Sequence, residues 1–218
     1  AENIVIQNSK LSIDRLNPTT EIWYVIRREN FSFCGQLLSK REFTEKNLNK
    51  GELRPEVAYL MCCYANIQPE DVVLEPFAGY GSIPIQISKH FKYSKLFVSD
   101  IDSERIADLR QKKHLKKENV FIEEYSVFDL PTKRSEISCV ITDPPWGYFE
   151  EIADITKFYV DMFESFRQIC RENCKIVILT ARVENFIQAA ENSNVKLTNR
   201  INTLINGKKA SLFKCELM

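Results

Sequence analysis

The chain has 218 residues and 30 Lys plus Arg against 30 Asp plus Glu, so its formal net charge is zero. Its length fits one domain with an extension, or two very small domains, at ~100–200 residues per domain. Zero net charge argues against a protein that grips nucleic acid by bulk electrostatics, and the 44% hydrophobic and 28% charged fractions exclude wholesale disorder. No apolar run approaches the ~18 residues that span a bilayer. The start, AENIVIQNSK, has neither a basic segment nor an apolar one, so no secretory signal is expected. It also lacks an initiator Met, as a processed chain or a piece of a longer one would. The seven Cys form no C-x-x-C pair and only two His are present, so no zinc site is expected and the thiols read as reduced.

Residues 1–50 read as β-rich. NIVIQNSKLSID (3–14), TEIWYVIRR (20–28) and FSFCGQLLS (31–39) are strand-like, with RREN as a turn between the last two. GELRPEVAYLMCCYANI (51–67) reads as a helix, with Pro55 tolerated in its first turn. Strands and helices then alternate. VVLEPF (72–77) is a strand, SIPIQISKHF (82–91) a helix, KLFVSD (95–100) a strand and DSERIADLRQKKHLKK (102–117) a helix capped by Asp102 or Ser103. VFIEE (120–124) and ISCVITD (137–143) are strands, TKFYVDMFESFRQICREN (156–173) is a helix and KIVILT (175–180) a strand. Such alternation of apolar strands with helices predicts a parallel sheet covered on both faces. The chain closes with two strand-like runs, 195–205 and 209–217, around Asn206-Gly207, which suits a tight hairpin. The last strand is therefore expected to be antiparallel to its neighbour.

Three motifs carry chemistry. LEPFAGYGS (74–82) follows a strand and opens a helix, and Gly79 and Gly81 let the backbone turn and approach a ligand closely. A dinucleotide fingerprint would need Gly at position 84, where the chain has Pro84, which argues against NAD or FAD. Asp100 ends the next strand, where a carboxylate can accept both hydroxyls of a ribose; the plainer reading is a residue near the helix cap. CVITDPPWG (139–147) ends the fourth strand of the alternating run with Asp143-Pro144-Pro145-Trp146. An exocyclic amine of guanine or adenine is a poor nucleophile, because its lone pair is delocalised into the ring. The Asp143 carboxylate and the Pro144 carbonyl can accept its two N–H hydrogens, and Trp146 can stack on the base and hold it in line.

In this order the motifs resemble a class I S-adenosylmethionine (SAM) amino methyltransferase with a DPP[YFW] signature. More narrowly, RPEVAYLMCCYANIQPEDVVLEPFAGYGSIPIQ followed by ITDPPWG resembles the THUMP-associated RNA guanine-N2 methyltransferases. That resemblance implies a Rossmann-like α/β fold: a seven-stranded, mostly parallel sheet ending in an antiparallel hairpin. It implies S-adenosyl-L-methionine as cofactor, held by Glu75, Phe77, Gly79, Gly81, Asp100, Phe128 and Asp129, with Asp129 near the adenine amino group and Phe128 against the ring. It assigns catalysis to Asp143, Pro144 and Trp146, and places Pro145 and Gly147 beside the substrate. It further implies a tRNA or rRNA partner, a cytoplasmic location and no need of a metal or a membrane.

The chain departs from the family in having Trp146 where Phe or Tyr is commoner, and in lacking the THUMP domain that would grip RNA. Residues 1–50 are accordingly expected to be an extension or a link to such an RNA-binding domain, and residues 51–218 the methyltransferase domain. The clusters Lys112, Lys113, Lys116, Lys117 and Lys208, Lys209 read first as solvated faces, and Arg27, Arg28, Lys40 and Arg41 are slightly better candidates for phosphate contacts. Two other readings stay open: a DNA adenine-N6 or protein glutamine methyltransferase, and a non-catalytic subunit on the same fold.

Overall fold

The structure, a computed structural model, describes residues 2–9, 12–26, 31–37, 48–129, 136–148 and 152–218. It divides into two compact units, Ala1–Asn47 and Leu48–Met218.

The first unit holds a helix, α1 (Glu2–Asn8), and an antiparallel hairpin of β1 (Glu21–Ile26) and β2 (Ser32–Leu37), which pair from Glu21↔Leu37 to Ile26↔Ser32. The two later strand expectations hold. The first does not, because residues 2–8 are helical. Ile4, Val5 and Ile6 run together without alternation, so the segment has no period-2 face to bury. With no strand beside it among the described residues, its backbone groups find partners within the segment instead. The Asn8 side chain also donates to the Ile4 carbonyl at 2.8 Å. The RREN turn and the candidates Arg27, Arg28, Lys40 and Arg41 lie outside the described residues.

The second unit opens with α2 (Pro55–Ala65), which has Pro55 in its first turn. Then come β3 (Val72–Glu75), α3 (Ser82–His90), β4 (Lys95–Asp100), α4 (Ser103–Gln111), β5 (Val120–Glu124), β6 (Ile137–Thr142), α5 (Ile155–Ile169), β7 (Cys170–Thr180), α6 (Val183–Asn192), β8 (Val195–Ile205) and β9 (Lys208–Leu217). The seven strands run in the order β5-β4-β3-β6-β7-β9-β8. The first five pair in parallel, and β9 is antiparallel to both β7 and β8. This is the expected mostly parallel sheet with a reversed C-terminal hairpin. Asn206 and Gly207 make the turn with φ of 49° and 77°.

Alternating side chains feed two cores. Cys139, Ile141, Val177 and Leu179 face α2, α3 and α4, packing with Met61, Ile87 and Leu109. Val140, Ile176 and Ile178 face α5 and α6, packing with Phe163, Phe166 and Phe186. All six residues of β6 are buried, as a central parallel strand requires.

Two helix ends and one whole helix differ most from the sequence reading. The helix expected over 102–117 stops at Gln111, and Lys113–Leu115 form a 3-10 turn. Continuing the α-helix would stack Lys112 on Lys116 and Lys113 on Lys117 as i,i+4 like-charge pairs; the turn avoids this and still buries Leu115. The helix expected over 156–173 stops at Ile169, and Cys170 onward joins β7, with Asn173 at a φ of 61°. Helix α6 was not anticipated. Its buried stripe of Phe186, Ala189 and Ala190 has helical spacing, but two of the three are small.

Among the described residues no three His, Cys, Asp or Glu side chains come together as a metal site. None of the described helices is long and apolar enough to cross a membrane.

Candidate active site

A parallel sheet of this kind presents ligands with the loops beyond the C-terminal ends of its strands. Here those loops carry all three motifs. After β3 the chain turns through Gly79 at φ 50° and Gly81 at φ 89°, both in the left-handed region. The two glycines serve different ends. A Cβ at Gly81 would lie 2.5 Å from Leu109 Cδ2, so the loop must hug α4 there. A Cβ at Gly79 would meet no protein atom within 4 Å, so this stretch of backbone faces open space.

Asp100, at the end of β4, ties the loop down. Its Oδ2 accepts the Gly79 N–H at 2.7 Å, and its Oδ1 accepts the Asp102 N–H at 3.0 Å. Capping of α4 falls to Asp102, which accepts from the Glu104 and Arg105 N–H groups. Asp100 thus lies beside the helix cap without being the cap itself. Each of its oxygens keeps a lone pair that a hydroxyl could use.

Glu75 is fully buried. Its Oε1 accepts the Thr142 hydroxyl at 2.6 Å and the Phe77 N–H at 2.9 Å, so it joins the glycine loop to the end of β6, while Oε2 has no hydrogen-bond partner. Burial pushes its carboxyl well above the usual range, and the nearby charges of Asp143 and Asp100 add to the shift. Phe77, Phe158 and Phe128 form a row, with ring centroids 5.8 and 5.6 Å apart. Phe128 is half-exposed at its end, and Asp129 shares the 3-10 turn Val127–Asp129.

Asp143 follows β6. The residue is half-buried, yet its Oδ1 is out of reach of solvent and has no hydrogen-bond partner. Burial pushes the carboxyl up to about 7; the neighbouring Trp146 indole N–H pulls the other way without forming a hydrogen bond of regular geometry. The Trp146 carbonyl accepts the Arg182 Nε–H at 2.6 Å. The Arg182 backbone N–H in turn donates to Thr180 Oγ1 at 2.9 Å, and that hydroxyl is 2.8 Å from the Tyr159 hydroxyl. A chain of polar contacts from α5 thus holds the D-P-P-W loop.

Asp143, Pro144, Pro145 and Trp146 line a pocket of about 180 Å³. Pockets that enclose drug-sized ligands run ~300–1,000 Å³, so this one suits a single ring system. Its other walls come from Gly51–Leu53 ahead of α2, from Tyr148, and from Ile205, Asn206 and Lys208 at the β8–β9 turn. Apart from Lys208, already singled out as part of a basic cluster, sequence reading missed these walls, along with Arg182. Only position signalled them, since Tyr148 and Arg182 follow the C-terminal ends of β6 and β7, where such folds place their sites. The two lysine clusters separate. Lys112–Lys117 lie between α4 and the start of β5, at the opposite end of the sheet, where Lys112 pairs with Asp108 at 2.8 Å. Lys208 lies at the site.

The sheet order, the reversed last strand and the loop positions define a Rossmann-like class I methyltransferase fold. More particularly, the chain belongs to the family UPF0020, RMKL-like, methyltransferase domain, which matches residues 41–210. It is 24% identical over 161 residues to the tRNA (guanine(10)-N2)-dimethyltransferase of Methanothermobacter thermautotrophicus, covering 66% of this chain and 45% of that protein. It is 31% identical over 137 residues to the U6 snRNA (guanine-N(2))-methyltransferase THUMPD2 of Bos taurus, covering 58% of this chain and 25% of that protein. The chain thus spans less than half the length of either relative. The crystal structure of TrmN from Thermus thermophilus superposes with a TM-score of 0.73 at 19% identity, over 100% of this chain and 65% of that one.

Proposed function

We propose that this chain is the catalytic part of an S-adenosylmethionine-dependent RNA methyltransferase acting on the N2 amine of guanine. One observation carries the reading. Asp143, one of whose carboxylate oxygens has no hydrogen-bond partner, lines a pocket the size of one ring system, as Trp146 does. The RNA class and the guanine acceptor rest on the family and on the names of the two relatives.

The residues fit the cofactor. The open backbone at Gly79 leaves room for it, Asp100 offers lone pairs to ribose hydroxyls, and Phe77 and Phe128 offer faces to an adenine. When bound, SAM supplies a methyl group on a positively charged sulfur. Asp143 accepts one N–H of the guanine amine, and the Pro144 carbonyl accepts the other. Both draw the nitrogen toward a shape with a usable lone pair. Trp146, with Pro145 and Gly147 around it, holds the base in line for transfer. Glu75 and Asp129 complete the cofactor side in this reading. The seven free cysteines accord with a cytoplasmic location, and an RNA-binding domain beyond this chain would supply the main grip on the substrate.

Asp143→Ala tests the assignment. Affinity for SAM, measured by calorimetry, should stay within a few-fold while methyl transfer to unfractionated tRNA falls by roughly two or more decades. Equal losses in both would mark Asp143 as a structural or cofactor residue.

A further inference from the structure

Two carboxylates line the pocket, those of Asp143 and Glu52. Glu52 stands just ahead of α2 and is half-buried. A turn fixes it in place. Its backbone N–H donates to the Asn49 carbonyl at 3.1 Å, and its Oε2 accepts the Asn49 backbone N–H at 3.0 Å and the Asn49 side-chain amide at 2.8 Å. Its Oε1 accepts no hydrogen bond among the described residues. One oxygen thus braces the turn and the other is spare. The pocket of about 180 Å³ has room for one ring system, so a base that brings its amine to Asp143 also meets the wall that carries Glu52. The donors of such a base can be counted. Its two amine hydrogens go to Asp143 and the Pro144 carbonyl in the reading above. Guanine has one more donor, the N1–H on the ring atom beside the amine-bearing carbon, and a donor withdrawn from water needs an acceptor. Adenine and cytosine carry a lone pair at the ring nitrogen beside their amine, and a carboxylate facing that lone pair repels it.

We propose that Glu52 selects the base: its spare oxygen accepts the N1–H that flanks the amine of guanine. The inference rests on the guanine reading above and deepens it by naming the residue that makes the choice. Asp143 serves any exocyclic amine alike, whereas Glu52 tells guanine from adenine and cytosine by the hydrogen beside that amine. A site built around such a hydrogen bond rejects a base that lacks the hydrogen, because the acceptor is then left unpaired.

The test is binding of two nucleosides to the full chain loaded with S-adenosylhomocysteine, read by saturation-transfer NMR. Guanosine carries both the amine and N1–H; 2-aminopurine riboside keeps the amine and has a lone pair at N1. The parent should prefer guanosine by about ten-fold or more, the scale of one charge-assisted hydrogen bond. Glu52→Gln isolates the contact. Asn49 offers two donors, so the new amide keeps its carbonyl on Asn49 and turns its NH2 toward the base. The preference for guanosine should then vanish or invert, while S-adenosylhomocysteine affinity and Tm stay at the parent values. An undiminished preference in Glu52→Gln, or a parent that does not prefer guanosine, overturns the assignment. Binding is read without catalysis, so the two claims fail separately. If the preference depends on Glu52 but the parent transfers no methyl to RNA, the enzyme reading falls and the role of Glu52 stands. If the parent makes N2-methylguanosine and the preference ignores Glu52, the reverse holds.

Discussion

In the proposed role Asp143 accepts from the amine far more strongly when ionised, yet burial pushes its carboxyl up to about 7. The folded chain therefore binds that proton more tightly than the unfolded one. On this account the carboxyl costs stability as pH rises from the unfolded value near 4 to about 7, while activity gains. Methyl transfer at subsaturating RNA should climb about tenfold per pH unit below 7 and level off above it, and Asp143→Asn should be slow with no such limb. A flat profile in the parent would mean the carboxylate is already ionised, or is not the acceptor. Asp100 is a different kind of residue, because its two oxygens already hold the Gly79 and Asp102 N–H groups. Asp100→Ala should lower SAM affinity ten-fold or more by calorimetry, through lost ribose contacts and a loosened loop together.

At the scale of elements, the glycine loop works because its two glycines do different jobs. Gly81→Ala puts a Cβ at φ 89° and 2.5 Å from Leu109 Cδ2, so it should lower the unfolding free energy by about 1–3 kcal/mol in a urea titration. Gly79→Ala has only its backbone strain to bear, about 1–2 kcal/mol, but fills the open space proposed for the cofactor. Its loss of SAM affinity should exceed that of Gly81→Ala, although it is the less destabilised variant. The reverse order would move the cofactor away from Gly79.

These elements also show what the sequence could reveal. The Asn206-Gly207 turn, the glycine loop and D-P-P-W were readable because each needs its residues contiguous. Helix α6 was missed because Ala189 and Ala190 weaken its apolar stripe, and α1 was misread because the β-branched run Ile4-Val5-Ile6 suggests a strand although it lacks period-2 alternation. The pocket walls were invisible because Leu53, Tyr148 and Asn206 come from three separate stretches that only the sheet order brings together.

At the scale of the molecule, the chain is neutral and spans less than half of the curated relatives it matches. It should bind RNA weakly, with a shallow salt slope. An RNA-binding domain fused ahead of Ala1 should improve apparent KM far more than kcat, since it adds binding made equally in the ground and transition states. An improvement chiefly in kcat would mean that the added domain completes the site. The most direct test of the central claim is tritiated-methyl transfer from SAM to unfractionated tRNA and rRNA, followed by nucleoside analysis. The account predicts label in N2-methylguanosine. Label solely in N6-methyladenosine, or no transfer by a chain that binds SAM, would contradict it.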